Sequence, residues 1–333
     1  MAAPEGWKPL LEWIAFPERF APPLPFSPGL KSAYRGCLLG LACGNVLGVE
    51  VEGWSRAAIL ARYPEGVQEP DPQERFREWD DDVAQALILG EALLSPEGVQ
   101  ADRLGQALVD WMRRSGRGIG TLTAQVLGRI AGGEPAEEAA QRVWEISGRQ
   151  SAGNGAVMRC APVALRWWRE PERLIRESLA SARVTHADPR CQWSTVVVTS
   201  TLAVLLRGTQ VDLPSLAGAL QQTGAPESVC QAVRETQSAT LADLNLDGPS
   251  MGFTLKAMQV ALWASQVDGE WGDRVRQVVN QGGDTDTNGA VAGAVLGVRL
   301  GEEAIPGPWI GCLPHPEQLT ELADRLLAAA ETG

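Results

Sequence analysis

From Ser32 onward, apolar positions recur at helical spacing. Leu104, Leu108, Trp111 and Met112 fall at i, i+4, i+7 and i+8, and Leu319, Leu322, Ala323 and Leu326 at i, i+3, i+4 and i+7. Each set describes one apolar face of a helix. Val83–Leu94 is apolar nearly all round, which predicts a buried helix. Thr195–Leu206 is rich in β-branched residues but longer than a typical strand, so it too is read as a buried helix. No alternating runs and no hairpin signal interrupt this pattern. The expected class is all-α, with one compact domain over residues 31–333. Loops are expected at Arg62–Glu78, Gly132–Glu137, Ser147–Gly155 and Leu241–Ser250, and the longest exceed what a compact domain usually needs unless they carry function.

Residues 1–30 stand apart as a proline-rich arm. Pro4, Pro9, Pro17, Pro22, Pro23, Pro25 and Pro28 exclude a long helix there. Trp7, Leu10, Leu11, Trp13, Ile14 and Phe16 are nonetheless too apolar for a solvated tail. The arm is expected to pack on the body through a short helix near Leu10–Ile14, as a lid over a pocket or as a contact with a second subunit.

Composition narrows the partners. The chain has 333 residues, 44% of them hydrophobic, enough for a large core. It carries 41 acids against 29 Lys and Arg, a net charge of −12, with no basic run longer than Arg113-Arg114. Bare nucleic acid is therefore not an expected partner. A small anion held by backbone amides remains compatible. The six cysteines form no CxxC pair and read as buried thiols of a reducing cytoplasm. No apolar run reaches the ~18 residues of a membrane span, and the N-terminus lacks the pattern of a secretory leader.

Candidate chemistry concentrates in acidic clusters. Gln281-Gly-Gly-Asp-Thr-Asp-Thr-Asn-Gly289 offers Asp284, Asp286 and the Thr287 hydroxyl, hard oxygen donors suited to Mg²⁺, Mn²⁺ or Ca²⁺. Helix capping alone would need one acid, not two. An EF-hand is rejected, because its twelfth position, where a bidentate Glu belongs, is Val295. Glu78-Trp-Asp-Asp-Asp82 precedes a second buried helix. Asp80, Asp81 and Asp82 would repel one another if buried, unless a cation neutralised them. Two such clusters at two helix starts make a shared dinuclear site plausible. Gly36, Gly40, Gly44 and Gly48 lie on one helix face, suited to a very close helix neighbour, and Glu50 and Glu52 leave that helix end. Glu50 is read as a surface carboxylate and Glu52 as a candidate acid or base. Ser151–Arg159 is a Gly-rich turn entering a helix. Thr185–Arg190 holds His186, while His315 lies between two prolines and reads as structural. No G-x-S-x-G elbow is present, which excludes the usual serine hydrolases.

Taken together and in order, these segments resemble the ADP-ribosylglycohydrolase family, which includes the regulator that removes ADP-ribose from dinitrogenase reductase. The resemblance runs from about Ser32 to Leu327. GCLLGLACGNVLGVEVE is similar to that family's first-helix motif, ending at Glu52. WDDDVAQAL resembles its Thr-Asp-Asp-Thr metal motif, and GIGTLT at Gly118–Thr123 its glycine loop. GNGAVMR and THADPR match its middle motifs, and GGDTDTNGAVAGAVLG its final metal motif. The resemblance implies a compact orthogonal helical bundle and a glycosidase that holds two divalent ions, Mg²⁺ or Mn²⁺. It places Asp80, Asp81, Asp82, Asp284, Asp286 and Thr287 as ligands, with Glu52 beside the ions as the catalytic carboxylate. Gly118, Gly120, Asn154, Gly155, Met158 and His186 would line the substrate pocket, with Asn154 and Gly155 facing the diphosphate.

Four departures stand out. Asp80 takes the place of Thr, Val83 that of a second Thr, Asn45 that of Asp, and Gly118 that of an acid carried by some arginine-directed members. The last leaves the scissile linkage open. Two alternatives to the ADP-ribosyl hydrolase stay in view. One is a non-catalytic ADP-ribose binder or structural, crystallin-like relative. The other is a hydrolase of a different nucleotide-like glycoside.

Overall fold

Glycines at every fourth position remove side chains from one stripe of a helix, and a partner helix can then approach to backbone contact. The computed structural model, which describes residues 3–332, shows this for the Leu30–Gly48 and Thr285–Leu300 helices. They run antiparallel with Gly36 against Gly297, Gly40 against Gly293, Gly44 against Gly289 and Gly48 against Thr285. A Cβ on Gly44 would overlap the Gly289 carbonyl, and one on Gly289 would overlap the Gly44 carbonyl. Trp271 closes one side, its indole N–H donating to Gly293 O at 3.1 Å. Both helices are buried over nearly their whole length and form the axis of the molecule.

Among the described residues the fold is all-α, with seventeen α-helices and no sheet. Three isolated β-bridges occur: Pro23 with Thr209, Ser55 with Gly282, and Gly153 with Phe253. Thr195–Leu206 forms the end of the Pro189–Leu206 helix, whose N-terminus is capped by Asp188. Its threonines are tolerated because they bond inside the helix, Thr195 to Cys191 O and Thr199 to Thr195 O, each at 2.9 Å. The apolar run after the acidic cluster is the Asp81–Leu93 helix. The long segment after Arg62 contains a 3-10 turn, Pro72–Phe76, and the segment after Leu241 another, Ala242–Leu244.

The N-terminal arm contains the Lys8–Ala15 helix, with a proline in its first turn where no donor is lost. Leu10, Trp13 and Ile14 are buried against the helices Pro171–Arg183, Pro189–Leu206 and Leu213–Leu220. The strand-like piece behind it is tied down by Leu24 N–H to Gly208 O and Gln210 N–H to Pro22 O. No helix among the described residues is long and apolar enough to cross a membrane.

Candidate functional site

The close pairing of the two axial helices decides where the acids go. The C-terminal end of Leu30–Gly48 meets the N-terminal end of Thr285–Leu300, and the chain leaves the former through a 3-10 turn, Val49–Val51, into Glu52. Asp284 is the N-cap residue of its helix and Asp80 that of Asp81–Leu93, yet neither side chain makes a capping hydrogen bond. Capping therefore does not account for either carboxylate. Donor oxygens of Glu52, Asp284 and Asp286 lie within 4.8 Å of one another, and so do those of Asp80, Asp81 and Asp286. Asp286 belongs to both groups.

Asp80, Asp81, Asp82 and Asp286 are buried, while Glu52 reaches solvent at the cleft mouth. Asp82 Oδ1 and Asp286 Oδ1 are buried with no hydrogen-bond partner among the described residues. Burial and mutual repulsion push the Asp81, Asp82 and Asp286 carboxyls well above the usual range. Burial, then Asp284 and Asp80, raise Glu52 as well. Like charges collected with so few protein donors are costly unless cations neutralise them. An all-oxygen donor set with orphaned buried atoms fits hard divalent ions. Thr287 Oγ1 lies 3.4 Å from Asp82 Oδ2, on the inner side of the cluster.

Over the acids opens a cleft of about 390 Å³, lined by Gly118, Gly120, Thr123, Gly155, Met158 and His186 among others. No described residue of the N-terminal arm lines it. Gly120 begins the Thr121–Ala131 helix, and space is open at its Cβ position. The 153–155 turn is pinned from outside, with Asn154 N–H donating to Gly252 O and Thr254 N–H to Ala152 O. The Asn154 amide, expected to face a diphosphate, donates to Asp284 Oδ2 at 2.8 Å and so orients that carboxylate. Met251 and Gly252 form the outer wall. Their loop is gathered by the Lys256 ammonium, which donates to Asn245 O at 2.6 Å, Pro249 O at 3.1 Å and Gly248 O at 3.4 Å. Glu50 lies outside the cleft, at the surface, where its carboxylate accepts from the Tyr63 hydroxyl.

A buried polar chain runs behind the cleft. Gln85, one turn after Asp81, donates to Asp81 Oδ2 at 3.4 Å and accepts from Arg159 at 2.6 Å. Arg159 also donates to Thr185 Oγ1 at 2.6 Å, and that hydroxyl lies 2.7 Å from His186 Nδ1. A guanidinium only donates; we assign the Thr185 proton to Nδ1, which leaves the His186 proton on Nε2. Burial, with Arg159 nearby, lowers the His186 pKa to about 3, so the ring is neutral. A Cβ on Gly155 would come within 3.1 Å of Nε2, which places that N–H at the cleft wall. Gln85 and Arg159 were not expected as site residues. The i+4 spacing of Gln85 from Asp81 was the available signal.

Three of the four departures from the family pattern meet at one place. A Cβ on Gly118 would overlap Asp80 Oδ1 and come within 2.9 Å of Asp81 Oδ1. Asn45 is wholly buried, with both amide atoms lacking a hydrogen bond of ordinary length, yet close enough to Asp80 to favour its ionised form. Val83, the fourth, is buried apolar surface.

The family model of ADP-ribosylglycohydrolase matches residues 27–333. The chain is 27% identical over 310 residues to ADP-ribosyl-[dinitrogen reductase] glycohydrolase of Rhodospirillum rubrum, covering 91% of this chain and 98% of that protein. It is 25% identical over 333 residues to ADP-ribosylarginine hydrolase Tri1 of Serratia proteamaculans, covering 96% and 84%. A solved ADP-ribosylglycohydrolase-related protein complex superposes with a TM-score of 0.72 at 28% identity, covering 90% of this chain and 99% of that one. The acids at the helix starts, the glycine turns and the length of the match agree: the chain belongs to the ADP-ribosylglycohydrolase family, whose chemistry is the hydrolysis of ADP-ribose linkages.

Proposed function

We propose that this chain cleaves the glycosidic bond of ADP-ribose on a modified protein or small ADP-ribosyl derivative, with two divalent ions, Mg²⁺ or Mn²⁺, resident in the cleft. The observation that carries the reading is the pair of carboxylate groups sharing Asp286, beside the orphaned buried oxygens of Asp82 and Asp286. Asp80, Asp81, Asp82, Asp284, Asp286 and Thr287 would hold the ions. When bound, the ions supply charge neutralisation and polarisation of the ribose hydroxyls.

The chain's own groups do the rest. Glu52, at the solvent edge, takes a proton from the attacking water as the bond from the anomeric carbon to the leaving heteroatom breaks, and returns it to that heteroatom. The raised Glu52 pKa suits both halves of that exchange. The His186 Nε2–H donates into the pocket. The start of the Thr121–Ala131 helix at Gly120 and the 153–155 turn face the diphosphate, where helix N–H groups favour an anion. The six unpaired, buried cysteines support a cytoplasmic setting.

A panel of guanidine-linked and hydroxyl-linked ADP-ribosyl compounds tests the proposal by release of free ADP-ribose. Turnover should stop on chelation, return with Mg²⁺ or Mn²⁺, and be lost in Asp284→Ala. Turnover that survives both treatments would sink the metal reading.

A further inference from the structure

Glu74 is buried, in the 3-10 turn Pro72–Phe76 of the long segment after Arg62, just before Asp80 in sequence and outside the cleft lining. Its two oxygens are both engaged. Oε1 accepts from Arg77 Nη1 at 2.7 Å, and Oε2 from Arg117 Nη2 at 2.8 Å. Arg117 is held a second time, its Nη1 donating to Glu78 O at 2.6 Å. A planar guanidinium fixed at two nitrogens has no freedom left. Its remaining Nε faces Asp80 Oδ1 at 4.0 Å.

That same oxygen lies over Gly118, where any side chain would collide with it. On another side stands the buried Asn45 amide. At an N-cap position an Asp side chain ordinarily turns back onto its own helix. Asp80 does not. It is walled in by a clamped cation, a residue without a side chain and a carboxamide, and it points with Asp81 toward Asp286.

We propose that Glu74 and Arg117 are positioning residues that hold the Asp80 carboxylate in the Asp80–Asp81–Asp286 group and so set the affinity of the cation position there. The position between Asp284 and Asp286 does not depend on them. This rests on the reading that the acidic cluster holds divalent ions. Arg117→Lys keeps the charge but cannot bridge Glu74 and Glu78 O together. Glu74→Gln keeps the shape but loses the charge that clamps Arg117. Gly118→Ala, at a positive φ that also strains the backbone beside Arg117, displaces Asp80 directly.

The test is Mn²⁺ titration of the metal-stripped full-length chain by calorimetry, with thermal melts of the metal-free forms alongside. Wild type should bind in two phases. Arg117→Lys and Glu74→Gln should each weaken one phase by about tenfold or more and spare the other, as loss of a ligand-orienting partner does. Gly118→Ala should weaken the same phase, and Asp284→Asn chiefly the other. If Gly118→Ala does not fold, the Arg117 and Glu74 variants decide alone. Variants that lower the metal-free melting temperature yet keep both dissociation constants would show a packing role and overturn the inference, leaving the metal reading intact. A wild-type chain that binds no Mn²⁺ overturns both.

Discussion

Arg159 and His186 share one hydroxyl, that of Thr185. The arginine can only donate to it; we assign the hydroxyl's own proton to His186 Nδ1, which makes the ring the neutral Nε2–H tautomer. Removing the hydroxyl in Thr185→Val frees the ring without removing it. kcat/KM should fall by about tenfold, equivalent to roughly 1.4 kcal/mol, on the scale of one buried hydrogen bond. His186→Ala should fall at least as far. Because the His186 pKa is lowered to about 3, the wild-type pH–rate profile should show no histidine limb near pH 6.5. A limb there that vanishes in His186→Ala would refute the assignment.

Stability should respond to pH in opposite ways with and without metal. Burial and neighbouring carboxylates raise Glu52, Asp80, Asp81, Asp82 and Asp286 in the metal-free chain. The folded state then binds more protons than the unfolded state above the ordinary carboxylate range. Stability is therefore gained as pH falls from neutrality toward that range, and lost as it rises. His186 works the other way, losing stability as pH falls below its unfolded value, but it does so in both forms. The difference between melting curves with and without Mn²⁺ isolates the carboxylates. The stabilisation by Mn²⁺ should shrink on acidification. A gain independent of pH would contradict the shared-acid site.

The axial helices make a prediction about stability alone. Gly44→Ala and Gly289→Ala each drive a methyl into the opposite backbone carbonyl. Each should cost about 3 kcal/mol or more, beyond ordinary overpacking because backbone cannot rotate away. Gly128→Ala, in the Thr121–Ala131 helix with nothing near its Cβ position, should instead stabilise by roughly 0.5–1 kcal/mol. Denaturant midpoints of the three variants, with equal slopes, settle the contrast.

Lys256 stands in for a cation bound by loop carbonyls. Lys256→Met keeps the stem and removes the donors. The loop carrying Met251 and Gly252 should loosen, raising KM several-fold with a smaller change in kcat, as for a wall that binds substrate without joining the chemistry. Unchanged KM with intact folding would show that the loop does not contact substrate.

Much of the fold was legible from periodicity. The buried helices after Asp82 and around Thr195, and the short helix within the proline-rich arm, follow from apolar spacing and proline placement. The glycine stripe announced a close helix contact, because absent side chains at fixed spacing have few other uses. Its partner was less visible, although Gly289, Gly293 and Gly297 carry the matching stripe. In the site, the acids were legible as residue types, and the motifs placed them together. The groups that orient them were not. Glu74 and Arg117 meet from segments 43 residues apart, Lys256 gathers carbonyls 7 to 11 residues before it, and nothing in their local pattern distinguishes them from surface charges. The contact of the Asn154 amide with Asp284 was not legible either, because an amide can serve an anion or a carboxylate equally well.

The pairing of Leu30–Gly48 with Thr285–Leu300 also has a consequence for how the protein is made. Glu52 and Asp284 are brought together by two segments separated by most of the chain. A contact between such distant segments forms late, because the intervening loop must be closed first. During synthesis the first acids are exposed long before their partners leave the ribosome. The cleft therefore has no partially working form: a chain arrested before Thr285–Leu300 lacks the axis of the fold and Asp286, the carboxylate common to both acidic groups. Activity and completion of the core arrive in a single event.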